Sequence, residues 1–322
     1  MKAILVGLGS AGFSWYKRLK AQGLLAAVVE TNSSMKTKLE NDPYPFYTSL
    51  EEALNNEEAD FLVNVTSPMA HTAINHAAFD RRLPVLCEKP ISFDYEESVE
   101  VVKRALREGI PFMIAENYRR FPYIRRLKQL IDEGAIGRIA SIDIRFHRYH
   151  QVQRNYTVSL LDDIGVHHFD MIRYLTGAEG VRVAAQLYNP LNGWEEPGSV
   201  LGTEAWIDLE GGIRATYSGT IASRSKQTPW CGQLRIEGTD GALELTDQVI
   251  YLHREGQTEV YSDHSAVQVS DTLAEFLASL RERRECESSG RDYLLTQALV
   301  HYAKLSSEKS QRVDVILPCV TE

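Results

Sequence analysis

The sequence predicts an α/β chain of two domains: a doubly wound parallel sheet first, then an α+β domain built on a large, mainly antiparallel sheet. Three observations lead there. The chain has 322 residues, enough for two domains at roughly 150 residues each. From Met1 to about Asn117 short apolar runs alternate with amphipathic segments, as βα units feeding a parallel sheet do. After Arg119 many strand-like runs follow one another without helices between them, which favours antiparallel pairing. The boundary is expected near residue 118, with residues 1–117 in the first domain and 118–322 in the second.

Strands of the first domain are expected at Ala3 to Leu8, Leu25 to Val29, Phe61 to Val65, Val85 to Cys87 and Phe112 to Ala115. The helices between them have readable ends. Ser49 with Glu52 and Asp94 with Glu97 have the spacing of capping boxes, and Gly23 and Gly109 sit where helices stop. Beyond the boundary an amphipathic segment, Tyr123 to Glu133, ends at Gly134. Ile139 to Tyr149 then alternates Ile142, Ile144 and Phe146 with Asp143, Arg145 and His147, a strand with one buried face. Further strands are expected at Val181 to Tyr188, Thr203 to Leu209, Arg214 to Ile221, Gln233 to Glu237 and Val249 to His253. Glu210-Gly211-Gly212 and Thr239-Asp240-Gly241 supply turns between them. Leu273, Phe276, Leu277 and Leu280 mark one closing helix, and Tyr293 to Leu305 a second.

Composition excludes several functions. Hydrophobic residues are 43% and charged residues 25%, which argues against long disorder. Lys plus Arg total 35 against 44 Asp plus Glu, a formal net charge of −9, so nothing draws the chain to nucleic acid. It lacks the roughly 18 consecutive apolar residues that a membrane span needs. Cys87, Cys231, Cys286 and Cys319 are far apart and form no CxxC pair, which speaks against a disulfide framework or zinc knuckle and fits a reducing cytoplasm.

Gly7-Leu8-Gly9-Ser10-Ala11-Gly12 is a G-x-G-x-x-G directly after an apolar strand and opening a helix. The first glycine permits the tight turn, the second lets the backbone approach a pyrophosphate, and the third allows close packing at a helix N-terminus that favours anions. Glu30 ends the second strand, about where a carboxylate accepts hydrogen bonds from an adenosine ribose. That favours NAD over NADP, because a carboxylate there repels a 2′-phosphate. Lys36 and Lys38 lie close enough downstream to keep NADP open.

Two further clusters carry chemistry. In Cys87-Glu88-Lys89-Pro90 the lysine follows a strand end, where a doubly wound sheet has its ligand crevice, and Pro90 stiffens its backbone. In Asp163-Ile164-Gly165-Val166-His167 the carboxylate and imidazole are four residues apart, close enough on a helix for Asp163 to orient His167. A surface lysine and a helix-terminal Asp beside a half-buried His are the plain alternatives. His167, His168 and Asp170 do not make a metal site, since consecutive helical residues point roughly 100° apart.

In this order the pieces resemble the glucose-fructose oxidoreductase, inositol dehydrogenase and rhizopine-catabolism family (Gfo/Idh/MocA). The likeness covers nearly the whole chain. It rests on Gly7 to Gly12, Asn64-Val65-Thr66-Ser67-Pro68 with His71, Glu88-Lys89-Pro90, Asn117-Tyr118-Arg119, Gly134-Ala135-Ile136-Gly137, Asp163 to His167 with Asp170, and Glu237 to Gly241. The resemblance implies a Rossmann domain and a second domain whose open sheet often joins subunits, hence a homo-oligomer, dimer or tetramer. It implies that Thr66, Ser67, Pro68 and His71 line the dinucleotide, with Glu88, Lys89 and Asn117 near the nicotinamide. It also implies that Lys89, Asp163 and His167 form a catalytic triad, with Arg119 beside the substrate.

Oxidising a secondary alcohol requires a proton acceptor, a cation for the developing alkoxide and close approach to the nicotinamide ring. His167 is the expected acceptor, Asp163 its orienting partner and Lys89 the hydroxyl clamp; Lys89 as the base is the alternative. The substrate is expected to be a sugar, inositol, related polyol or sugar acid. Competing readings are a dinucleotide-binding sensor without turnover, and NAD-assisted elimination or glycoside cleavage. One departure stands out: Val158-Ser159-Leu160-Leu161-Asp162 replaces the family's usual small glycine run, and Asp162 adds a second carboxylate beside Asp163. Upstream, Arg145, His147, Arg148, His150 and Arg154 form a basic stretch that could face an anionic substrate or simply be a solvated strand face.

Overall fold

The structure is a computed structural model that describes residues 1–39, 42–152, 157, 159–194 and 198–320. Two compact units divide it: Met1–Glu116 with Thr272–Leu294 and the last residues from Pro318, and Asn117–Asp271 with Leu295–Leu317.

In the first unit the chain runs β1 (Ala3–Val6), α1 (Ser10–Ala21), β2 (Leu25–Val29), a 3-10 stretch (Ser33–Leu39), β3 (Phe46–Tyr47), α2 (Leu50–Asn56), β4 (Phe61–Asn64), α3 (Pro68–Asp80), β5 (Val85–Cys87), α4 (Tyr95–Arg107) and β6 (Phe112–Ile114). The strands form one parallel sheet in the order β3-β2-β1-β4-β5-β6. Strand order reverses between β1 and β4, and ligands of such sheets bind outside the carboxyl ends of the strands at that reversal. Gly7, Glu30, Val65 and Glu88 all follow strand ends there. Local chemistry sets the helices: Ser49 Oγ accepts from Glu52 N–H, and Asp94 Oδ1 accepts from Glu97 N–H at 3.0 Å. Each cap satisfies an otherwise unpaired N–H of the first turn.

The second unit opens with a 3-10 turn (Tyr118–Arg120), α5 (Pro122–Asp132) and β7 (Ile139–His147). A π turn (Leu161–Gly165) runs directly into α6 (Val166–Thr176), and then come β8 (Gly180–Tyr188), β9 (Gly202–Leu209), β10 (Arg214–Thr220), β11 (Gln233–Gly238), β12 (Ala242–Thr246), β13 (Val249–Arg254) and β14 (Gln257–Tyr261). The last elements are α7 (Thr272–Glu282), α8 (Gly290–Lys309) and β15 (Val313–Asp314). The second sheet has nine strands among the described residues, in the order β14-β13-β12-β11-β7-β10-β9-β8-β15. It is antiparallel except where β10 lies parallel to β7. Ile142, Ile144 and Phe146 turn to the core, and Arg145 is exposed, as the alternation requires.

One assignment differs from the sequence expectation. The closing helix α7 and the start of α8 belong with the first unit, not the second. Leu273, Phe276 and Leu277 join the core formed by Ala3, Leu5 and Phe61, and the Phe276 ring meets Phe61 edge-on at 5.6 Å. An amphipathic stripe shows that a helix buries one face but not which sheet receives it.

Candidate active site

The first unit supplies a cradle at the end of β1. Gly7 has φ +98°, and a Cβ there would press within 2.7 Å of the Val65 carbonyl oxygen. A Cβ on Gly12 would collide with the Gly7 carbonyl. Gly9 is different: a Cβ there meets nothing within 4 Å. Gly9, Ser10 and Ala11 are exposed, and no side chain caps the α1 N-terminus, whose first turn carries no acidic residue. The turn therefore has tight glycines on its packed side and open backbone on its outer side, a fit for a pyrophosphate.

Leu8 contributes to this site indirectly. Its side chain is in the core, and its N–H donates to Glu30 Oε2 at 2.8 Å, while Glu30 Oε1 accepts from Asn32 N–H at 3.0 Å. These bonds fix the Glu30 carboxylate beside the glycine turn. At the end of β4, the Thr66 hydroxyl donates to Asn64 Oδ1 at 2.8 Å, and Asn64 in turn donates to Asn75 Oδ1 at 2.8 Å. Pro68 begins α3, and the buried Ser67 Oγ at its N-cap finds no hydrogen-bond partner.

His71 stands between two loops at the strand ends. It is fully buried, with Nδ1 2.8 Å from the Pro90 carbonyl oxygen and Nε2 3.2 Å from that of Thr66. Burial pushes its pKa down, against the opposing pull of the two carbonyls. A neutral ring donates once, and the shorter contact marks Pro90 as acceptor. His71 thus ties the Thr66–Pro68 loop to the Glu88–Pro90 loop, as a positioning residue. Glu88 is held by a donor the sequence reading missed: Trp15 Nε1–H, at 2.9 Å from Glu88 Oε1. Lys89 is half-buried and is joined to Pro90 by a cis peptide.

In the second unit the π turn carries Asp163, half-buried, and leads without a break to His167, the second residue of α6. Gly165 fits tightly here, since a Cβ would come within 2.9 Å of Leu161 Cδ1. Single π turns inserted in α-helices are frequent at functional sites because they redirect side chains. The His167 ring is 5% exposed and stacks on Tyr118, centroids 4.0 Å apart and planes 9° apart. Tyr118 is the second residue that sequence reasoning missed as part of the site; only its place in Asn117-Tyr118-Arg119 hinted at it. Asn117 is exposed at the head of the same turn.

Three features singled out in the sequence find their partners in this region. Arg119 gives Nε–H and Nη2–H to the two Asp170 oxygens at 2.5 and 2.6 Å, both side chains being buried, so it ties the Asn117–Arg119 turn to α6. Asp162 accepts from Lys304 of α8 at 3.2 Å. The basic stretch is divided by strand alternation: Arg145 is exposed while Arg148 lies over the Trp230 ring at 4.3 Å. Arg154 and Val158 lie outside the described residues.

His168 is a core histidine. Its Nε2–H donates to the Trp230 carbonyl at 2.9 Å and its Nδ1 accepts from the Tyr217 hydroxyl at 3.1 Å. Full burial, only partly opposed by the Trp230 carbonyl, pushes its pKa from 6.5 to about 3. Unfolding frees the ring to titrate near its ordinary value, so the unfolded chain takes up the proton first. Stability is therefore expected to fall as pH drops from about 6.5 toward 3, by up to about 1.4 kcal/mol per pH unit. Urea midpoints measured between pH 7 and 5 check this, and His168→Gln should flatten the slope. Among the described residues no cluster of three His, Cys, Asp or Glu could hold a metal, and no helix is long and apolar enough to cross a membrane.

Residues 1–116 match the oxidoreductase family with an NAD-binding Rossmann fold, and residues 124–244 match the GFO/IDH/MocA C-terminal domain. The chain is 25% identical over 293 residues to a D-apiose dehydrogenase of Paraburkholderia graminis, covering 84% of this chain and 76% of that one. It is 30% identical over 186 residues to an inositol 2-dehydrogenase of Corynebacterium glutamicum, covering 56% and 55%. In fold it superposes on an Agrobacterium radiobacter oxidoreductase crystallised with NAD+, L-tartaric acid and magnesium, with TM-score 0.86, 20% identity and 98% of each chain covered. An open glycine cradle on a doubly wound sheet, followed by a mixed sheet with a histidine-bearing helix, places this chain in the Gfo/Idh/MocA oxidoreductase family.

Proposed function

We propose that the chain oxidises a secondary alcohol of a sugar, inositol, related polyol or sugar acid with NAD as hydride acceptor. The observation that carries this reading is the His167 imidazole, buried, stacked on Tyr118 and presented by a π turn, on a chain that also holds an open dinucleotide cradle. Bound NAD supplies the hydride acceptor. The protein's part is to hold and deprotonate the alcohol. Lys89 donates a hydrogen bond to the hydroxyl and stabilises its oxygen as negative charge builds; His167 takes the hydroxyl proton; Asp163 orients the imidazole. The carbon–hydrogen bond breaks as hydride, the carbonyl forms, and the proton passes from His167 to water. Stacking on Tyr118 hinders the flip of the imidazole about its Cβ–Cγ bond, which favours a fixed line of proton transfer.

Glu30, Thr66, Ser67, Pro68, Glu88, Lys89 and Asn117 hold the cofactor in this reading, with the α1 N-terminus on the pyrophosphate. Glu30 selects NAD, because its anchored carboxylate accepts from ribose hydroxyls and repels a 2′-phosphate. Glu30→Ala is expected to lower the NAD over NADP ratio of kcat/KM by about tenfold or more, roughly 1.4 kcal/mol, measured by parallel initial rates with the two cofactors. A homo-oligomer through the open face of the second sheet belongs to the same proposal; Trp206 on β9 is 68% exposed there. The reading as a whole is tested by nicotinamide absorbance across a panel of polyols, sugars and sugar acids. NADH formation with at least one class supports it. Tight NAD binding without turnover on any member overturns it in favour of a sensor, and product without net NADH in favour of elimination.

A further inference from the structure

We propose that Trp15 is a positioning residue for the nicotinamide half of the cofactor: its indole N–H fixes the Glu88 carboxylate by one oxygen, so that the other is set to accept from the nicotinamide ribose. The inference rests on the dehydrogenase reading above and gives Trp15 a part in cofactor binding that lies outside the glycine motif.

Helix α1 packs through one face. Gly12, Trp15, Tyr16 and Leu19 are its buried residues, and Gly12 and Trp15, three apart, are neighbours on that face. Gly12 comes down beside the first glycine, where a Cβ would collide with the Gly7 carbonyl and stand 3.2 Å from Val65 Cγ2. One turn further on, Trp15 is 7% exposed in the core that also holds Val65, Leu86 and Met113, with the Arg18 guanidinium 4.9 Å from its ring centroid. Glu88 meets the indole from the sheet. Its N–H still donates to the Asn64 carbonyl at 2.8 Å, so the ladder between β4 and β5 continues as far as Glu88. Leu86 and Glu88, two apart on this extended chain, share a side, which is the side of the core that Trp15 occupies. Trp15 Nε1–H donates to Glu88 Oε1 at 2.9 Å.

A buried indole N–H needs an acceptor, and a neutral carbonyl would serve. Here the acceptor is a half-buried carboxylate at the end of β5, and a bond to a charged acceptor is the stronger kind. The main chain around Glu88 is already held. Besides the Asn64 contact, the Cys87 carbonyl accepts from Ala115 N–H at 2.8 Å and the Pro90 carbonyl from His71 Nδ1–H at 2.8 Å. Those bonds leave open the direction of the carboxylate, which rotamer freedom would otherwise spread over several positions. Trp15 settles it. The second oxygen, Oε2, has only a long contact of 3.4 Å with Lys89 N–H, and so keeps its capacity to accept from hydroxyls. Glu30 is built in the same way at the other end of the cradle, anchored by the N–H groups of Leu8 and Asn32. β2 and β5 are three strand spacings apart in the sheet, roughly 14 Å. One anchored carboxylate therefore stands on each side of the glycine turn, as the two riboses of an extended dinucleotide require.

The full chain is titrated calorimetrically with NADH, which carries the nicotinamide ribose, and with ADP, which shares the adenosine and pyrophosphate but lacks that ribose. Trp15→Phe keeps a ring and removes the N–H; its Kd for NADH should rise about tenfold and its Kd for ADP by less than about twofold. A merely structural role does not give that split, because a loosened α1 weakens both ligands at the glycine turn. In a Glu88→Ala background the same substitution should change NADH affinity by less than about twofold, since its effect runs through the carboxylate. Nuclear magnetic resonance of the unsubstituted chain decides the case if Trp15→Phe does not fold. The indole N–H resonance displaced in Glu88→Gln is that of Trp15, and NADH should shift it further than ADP does. Equal losses for NADH and ADP, an unchanged NADH Kd in Trp15→Phe, the full loss persisting in Glu88→Ala, or an indole resonance that NADH moves no further than ADP overturns this proposal and leaves the dehydrogenase reading standing. An unsubstituted chain that binds no NADH overturns both.

Discussion

The His167→Ala variant is expected to lose about 10³-fold in kcat while its affinity for NAD changes by less than about threefold. In the proposed reaction the hydroxyl must give up its proton as the hydride leaves, so without an acceptor the alkoxide must form unaided. Lys89→Ala should lose about 10²- to 10³-fold for a different reason, the missing cation at the oxygen where charge develops. If the two side chains act on one hydroxyl, their losses do not multiply. The double variant should fall little below the worse single variant, as groups that work as a unit do. Added imidazole separates the roles: it should restore part of the rate to His167→Ala and none to Lys89→Ala. Rescue in the opposite order assigns the base to Lys89, and near wild-type kcat in either single variant removes that residue from the chemistry. Stopped-flow absorbance at the nicotinamide band and NADH fluorescence titration supply the two readouts.

Much of the first sheet was legible because its strands are buried on both sides and read as continuous apolar runs. Ala3–Val6, Leu25–Val29 and Phe61–Asn64 are nearly free of polar residues for that reason. β3 and β15, two residues each, are too short to leave a pattern, and β14 is almost wholly exposed and so shows no alternation of buried and polar positions. The parallel contact between β7 and β10 escapes sequence reading because it joins strands far apart in the chain, and alternation says only which side is buried. The glycine turn and the Lys89 and Asp163–His167 segments were legible as types and spacings. Their supports were not. Tyr118 beneath His167 and Trp15 on Glu88 depend on tertiary packing, and the π turn before α6 breaks the helical period on which the four-residue argument relies. The basic stretch after residue 144 looked like one feature, yet a strand sends alternate residues to opposite faces, so its members divide between two sides.

Asp170→Asn is expected to destabilise the protein by about 3 to 5 kcal/mol, the usual loss when one member of a buried ion pair is removed. Asp170 is fully buried and accepts two hydrogen bonds from Arg119 and one from the Thr296 hydroxyl at 2.9 Å, with Arg173 Nη1 4.0 Å away. Burial alone would raise its pKa; the Arg119 guanidinium, with Arg173 and Thr296, more than offsets that and holds the carboxyl below its ordinary value. An asparagine offers Arg119 one acceptor in place of two and leaves a guanidinium without its counter-charge in the interior. Since the folded carboxyl is the stronger acid, its stabilisation is present above the ordinary carboxyl range and is lost only as pH falls through that range and below. The gap between wild type and Asp170→Asn in urea midpoints should therefore hold from pH 7 to 5, where the His168 slope lowers both together, and close only in stronger acid. A second consequence reaches the chemistry. Arg119 follows Tyr118, and Asp170 lies three residues after His167 on α6, so the ion pair fixes the ring on which the imidazole stacks to the helix that carries it. Loosening it should lower kcat more than it raises KM, at temperatures where the variant is still folded. A variant that keeps full stability would show that the Thr296 and Arg173 contacts suffice; one that loses stability but keeps kcat would show that His167 is positioned from elsewhere.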